Sequence, residues 1–161
     1  MFKLGRISKD NLIGVHPDLV AVVERAIELT TVDFRVFEGM RSREKQMEYY
    51  RKGVSRTVNS SRHLVGADGF AHAVDLVPFV KNLLLWEWDY IYPIAEAVKT
   101  AANELGIDIR WGGVWDRILN EEKDTAKKMV ADYVARRRKL GKSAFIDGPH
   151  FELPVGSKYP Q

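Results

Sequence analysis

Apolar residues recur at helical and strand periods along most of the chain. Leu19, Val22, Val23, Ala26 and Ile27 lie three and four positions apart, one face of a helix. His16-Pro17-Asp18 opens it: Pro17 suits a first turn, where its missing N–H costs nothing, and Asp18 stands near the positive end of the dipole. Val32, Phe34 and Val36 alternate with polar residues and read as a strand. A second helix is expected from Arg43 to Lys52, stopped by Gly53, followed by a polar loop over 53–62. His72 to Val80 reads as a strand with Val74 and Leu76 on one face and Ala73 and Asp75 on the other. Ile91, Ile94, Ala95, Val98, Ala102 and Leu105 mark a long amphipathic helix ending at Gly106, with Pro93 in its first turn or kinking it. Ile107, Ile109 and Trp111 alternate as a strand cut off by Gly112-Gly113. Residues 121–140 predict a helix with Glu121, Glu122 and Asp124 at its start and Arg136, Arg137, Arg138 and Lys139 at its end, the order its dipole favours. Met129, Val130, Tyr133 and Val134 give it a narrow apolar stripe. A last strand covers His150 to Leu153. Helices and strands mix without strict alternation, which points to an α+β fold with a small antiparallel sheet and flanking helices.

The length of 161 residues suffices for one core and predicts one domain over 1–161. No apolar run approaches the roughly 20 residues that span a bilayer. Met1-Phe2-Lys3-Leu4-Gly5-Arg6 is not followed by the apolar core and cleavage site of a secretory signal. There is no cysteine, so disulfides and thiolate metal sites are excluded and any zinc must use His, Asp or Glu. The formal charge of +3 is mild and its excess sits largely in the run Arg136 to Lys139. That run has three readings: a solvated helix end, contact with an anionic wall polymer or outer-membrane lipid, or nucleic-acid binding. No nucleic-acid motif accompanies it, so nucleic acid is not expected as a partner.

Only four histidines are present: His16, His63, His72 and His150. Two segments combine His and Asp with Gly or a strand edge. One is Ser61-Arg62-His63-Leu64-Val65-Gly66 with Ala73-Val74-Asp75; the other is Asp147-Gly148-Pro149-His150-Phe151-Glu152. A hydrolytic zinc takes three protein ligands and keeps a fourth position open. Two imidazoles and one carboxylate leave the site a net charge of about +1, which preserves Lewis acidity. A further carboxylate must stand close but off the metal as a base. Asp147 is placed for that if the Gly148-Pro149 turn folds back. Glu152 shares a strand face with His150, either orienting it, binding a substrate amine or facing solvent. Trp111 and Trp115 suit core packing better than a cleft wall. Ser61 reads as a turn residue and His16 as a surface one.

The motifs Ser61-x-His63-x-x-Gly66, Ala73-x-Asp75 and Asp147-x-x-His150 resemble the signature of the zinc D-Ala-D-Ala carboxypeptidase/dipeptidase family, with its hedgehog/DD-peptidase-like fold. That family includes the vancomycin-resistance dipeptidases and the L-alanyl-D-glutamate peptidases of phage endolysins. The whole chain is similar to the endolysin branch, with support from Lys3-Leu4-Gly5-Arg6-Ile7-Ser8, Glu38-Gly39-Met40-Arg41-Ser42, Ile109-Arg110-Trp111-Gly112-Gly113-Val114-Trp115 and Pro149-His150-Phe151-Glu152-Leu153. The resemblance implies one zinc ion per chain on His63, Asp75 and His150. It further implies Asp147 as catalytic base and Arg41 as the cation that steadies the oxyanion. It implies peptidoglycan as substrate, a monomer, and an enzyme held in the host cytoplasm until a holin releases it. His63 and Asp75 are twelve apart rather than the family's usual seven, with Ala67-Asp68-Gly69-Phe70-Ala71 as the apparent insert; His72, directly before Ala73, is the rival ligand. A second insert spans about 116–143 and carries the basic helix where some relatives hold a calcium loop. Three other functions stay open: a D-Ala-D-Ala carboxypeptidase or dipeptidase, a non-catalytic zinc-stabilised binding module, and a nucleic-acid binder. Asp147 and Arg41 argue against the second.

Overall fold

A sheet whose strands are spread over the whole chain organises the molecule. The computed structural model describes residues 1–58 and 60–161, so position 59 of the expected loop lies outside the described residues. The elements are α1 (Arg6–Asn11), α2 (Pro17–Leu29), β1 (Phe34–Glu38), α3 (Arg43–Arg51), β2 (Ala73–Val80), β3 (Leu83–Leu84), α4 (Trp88–Leu105), β4 (Arg110–Trp111), β5 (Val114–Ile118), a 3-10 turn (Leu119–Glu121), α5 (Ala126–Lys139) and β6 (His150–Glu152). The strand order is β1-β2-β6-β4-β5, every neighbour antiparallel, with β3 folded back on β2. This is a small α+β domain, as the mixed element order predicts.

Local chemistry explains most boundaries. The ring of His16 caps α2, its Nδ1 accepting the Asp18 N–H at 3.0 Å, and Pro17 opens the helix. Ser42 caps α3 by accepting from the Lys45 N–H. Gly106 ends α4 in the left-handed conformation, φ +67°. That helix begins at Trp88, before the apolar stripe reveals it, so Pro93 sits in its second turn and the helix continues through it. The core lies on one face of the sheet. Val36, Val74, Leu76, Trp111 and Phe151 meet Leu19, Val22 and Val23 of α2 and Ile91, Ile94 and Val98 of α4 there. Each such side chain contributes about 1.5–3 kcal/mol relative to staying exposed.

Residues 121–140 are not one helix. Glu121 belongs to the 3-10 turn, and α5 starts at Ala126 behind the cap Thr125, so Glu121, Glu122 and Asp124 precede it. The carboxylate at its N-terminus comes instead from Glu96 of α4, which accepts the Ala126 N–H. Thr125 forms a better cap than any acid upstream because its hydroxyl takes the Lys128 N–H at 3.2 Å.

Candidate active site

Register carries three side chains into one row. Across β1, β2 and β6, Glu38 stands opposite Asp75 and Asp75 opposite His150. Directly opposed residues share a face, and Val74 and Leu76 occupy the core face, so this row occupies the other. His63, from the loop before β2, joins it. His63, Asp75 and His150 each present one ligand atom, all within 4.8 Å of one another. The Asp75 Oδ1 atom is 3.3 Å from His63 Nε2 and 3.4 Å from His150 Nδ1. It is buried and makes no hydrogen bond among the described residues.

The outer nitrogens are already committed. His63 Nδ1 lies 2.7 Å from the Gly39 carbonyl and His150 Nε2 lies 2.7 Å from Glu152 Oε1. Both partners accept, so in a neutral imidazole those nitrogens carry the proton and the inner nitrogens have their lone pairs toward Asp75. Two imidazole nitrogens and a carboxylate oxygen lie within 4.8 Å of one another, an arrangement that could hold a metal ion. The donor set, two imidazoles and one carboxylate with room beside them, fits a hydrolytic zinc. Without a metal the site draws protons. Burial opposes charge on His150, yet the carboxylates of Asp75 and Glu152 outweigh it and push the imidazole up to about 10. Burial likewise opposes charge on Asp75, but the pull of His63 and His150 holds its carboxyl well below the usual range.

Around this trio stand two groups suited to acyl chemistry. Arg41 is buried and fixed from several sides. Its Nε bonds Glu38, its Nη1 donates to Gln46 Oε1 at 2.7 Å, and the guanidinium lies 4.6 Å over the Tyr49 ring. The remaining nitrogen, Nη2, is 3.8 Å from Asp75 Oδ2. Asp147 reaches the same cleft because the Gly148-Pro149 turn folds back, the His150 N–H donating to the Asp147 carbonyl at 3.1 Å. Gly112 holds that turn from below. Its backbone exchanges hydrogen bonds with Asp147 and His150, and a Cβ there would lie 2.1 Å from the Asp147 carbonyl oxygen. Burial pushes the Asp147 carboxyl up, the nearby Asp75 adds to it, and His150, His63 and Arg41 only partly offset them.

A family model described as phage L-alanyl-D-glutamate peptidase matches residues 1–154. The chain belongs to the phage L-alanyl-D-glutamate peptidase family. It is 30% identical over 118 residues to the L-alanyl-D-glutamate peptidase of Escherichia phage T5, covering 71% of this chain and 82% of that one. It is also similar to the crystal structure of the Serratia marcescens L-Ala D-Glu endopeptidase ChiX. There the TM-score is 0.69 at 37% identity, over 95% of this chain and 90% of the other.

Other residues fall into place around the site of this family member. Glu152 is buried rather than solvent-facing, and orients His150 while its second oxygen takes the Arg110 guanidinium at 2.8 Å. Burial pushes Glu152 up, but His150 and Arg110 bring it below the usual range. The role of Arg110 has no local signal, since it follows from the pairing of β4 with β6. The tryptophans divide: Trp111 is fully buried and stacks on Phe151, whereas Trp115 lines the cleft with its ring 5.2 Å from that of His150. His72 is outside the trio. It is fully buried beside β2 and bonds Asp68 of the insert at 2.8 Å. His16 is not a plain surface residue, for its ring caps α2 and packs on Phe70 and Tyr159. Ser61 accepts the His63 N–H, a turn role. In the basic run, Arg136 forms a two-pronged pair with Asp116 at 2.8 and 2.9 Å and Arg137 bonds the Ser143 carbonyl; Arg138 and Lys139 are exposed.

Proposed function

We propose that this protein is a zinc-dependent endopeptidase that hydrolyses the L-alanyl-D-glutamate bond of the peptidoglycan stem peptide and serves as a phage endolysin. The observation that carries it is the convergence of two outward-tethered imidazoles on the unbonded Asp75 oxygen, in a member of this family. His63, Asp75 and His150 hold the ion. Zinc, when bound there, supplies Lewis acidity that polarises the scissile carbonyl and lowers the pKa of water toward ~7. Asp147 takes the proton of the attacking water and returns it to the leaving amine. Arg41, held rigid by Glu38, Gln46 and Tyr49, meets the negative charge that develops on the carbonyl oxygen. Arg138 and Lys139 are free to rest on an anionic wall polymer or outer-membrane lipid.

Digestion of purified peptidoglycan followed by mass analysis tests the reading. New N-terminal D-glutamate is expected, abolished by strong chelator and restored by zinc. Release of D-alanine instead marks a carboxypeptidase, and undiminished digestion in chelator refutes the metal mechanism.

A further inference from the structure

Four arginines line the cleft of about 490 Å³ that contains the trio: Arg41, Arg56, Arg62 and Arg110. Three have answered their charge or their hydrogen-bonding capacity within the protein. Arg41 is bound by Glu38, and Arg110 by Glu152. Arg62 spends its fork on the carbonyls of Leu153, Tyr159 and Pro160, tying down the C-terminal tail. Arg56 differs. It is exposed on the loop after α3, and its guanidinium lies over Phe145, 4.5 Å from the ring centre, with no carboxylate partner among the described residues. Phe145 is held in turn, its carbonyl accepting the Trp115 indole N–H at 2.8 Å. The Trp115 ring packs beside His150. A chain of three contacts therefore links an unanswered cation on the cleft wall, through Phe145 and Trp115, to His150.

Resting on the peptidase reading above, we infer that Arg56 is the residue that selects an acidic residue on the leaving-group side of the scissile bond. A glutamate joined through its nitrogen to alanine keeps one carboxylate free when its other carboxyl carries the peptide onward. That carboxylate lies within one residue of the bond that breaks. A guanidinium presents two parallel N–H donors that match a carboxylate, and stacking on an aromatic ring orders the fork before substrate arrives. Phe145 lies between α5 and β6, so the connection that leads into the His150 strand supplies the platform.

The test compares two soluble stem peptides, one with the free glutamate carboxylate and one with that carboxylate amidated, cleaved by zinc-loaded wild-type, Arg56→Gln and Arg56→Lys. Wild-type is expected to lose about 10–100-fold in kcat/KM on amidation, mostly through KM. Arg56→Gln should lose a similar factor on the carboxylate peptide and almost nothing on the amide, and Arg56→Lys should fall between. Zinc content and thermal melting equal to wild-type verify that the variants fold. Equal wild-type rates on both peptides overturn the inference. So does an Arg56→Gln variant that still discriminates, or one that loses equally on both peptides. Wild-type protein that binds zinc yet cleaves neither peptide overturns the peptidase reading and takes the inference with it.

Discussion

Asp147 stands where burial and a neighbouring carboxylate resist its ionisation while two imidazoles and a guanidinium promote it. A bound dication would add to the second group. A base in such balance can accept a proton and release it again within one turnover. Asp147→Asn preserves shape but cannot take the proton. The variant should bind zinc stoichiometrically and melt normally, with turnover reduced at least ~10²-fold and substrate affinity little changed. Metal analysis with steady-state kinetics checks this. Loss of zinc would make Asp147 a ligand; near-normal turnover would put the base elsewhere.

At the scale of elements, the tight turn between β4 and β5 shapes the cleft, while the helix α5 carries the basic run away from it. Gly112 lets the hairpin approach the Asp147 turn so closely that no side chain fits. The helix α5 packs on β5 through Met129, Val130 and Tyr133 and ends in the basic run. Arg136 and Arg137 are engaged locally, and an exposed pair such as Arg136–Asp116 contributes at most about 1 kcal/mol. Arg138 and Lys139 are the charges left for a partner. Replacing both with Gln should slow lysis of intact walls or lipid-covered cells and leave cleavage of a soluble peptide unchanged. The difference should shrink at high salt, where exposed charges are screened. Equal loss on both substrates would assign the helix end a structural role.

For the whole molecule, the trio His63, Asp75 and His150 links three parts of the chain: the loop before β2, β2 itself and β6. A metal that binds only the folded arrangement therefore stabilises all of it by mass action. The sign of the pH effect follows from His150. Its folded-state pKa in the metal-free protein is pushed up to about 10, above the unfolded value near 6.5. The proton thus contributes stability that is fully present below about pH 6.5 and lost as pH rises toward 10. Zinc held by the trio, as proposed, would displace that proton, so the zinc-bound form would lack this slope. The rise in melting temperature on adding zinc should grow between about pH 6.5 and 10. Calorimetric titration at pH 7 in buffers of different ionisation enthalpy should detect about one proton released per zinc. A zinc effect independent of pH would contradict the protonated His150.

Much of this was legible in the sequence. The stripe Leu19 to Ile27, the alternation of Val74 and Leu76, the helix start at Pro17 and the stop at Gly106 depend on neighbours a few residues away. Pattern therefore determined α2, β2, most of α4 and the α+β class. The motifs around His63, Asp75, Asp147 and His150 pointed to the residues that meet in one cleft. What tertiary structure decided involves partners far apart in the chain. Glu96 rather than Glu121 or Glu122 reaches the start of α5, Arg110 anchors Glu152, His72 turns to Asp68, and Trp111 and Trp115 part ways at a hairpin. Each of those outcomes depends on strand register or helix docking across intervening loops. A local period reports which face of one element is apolar; it carries no information on which distant side chain will be brought against that face.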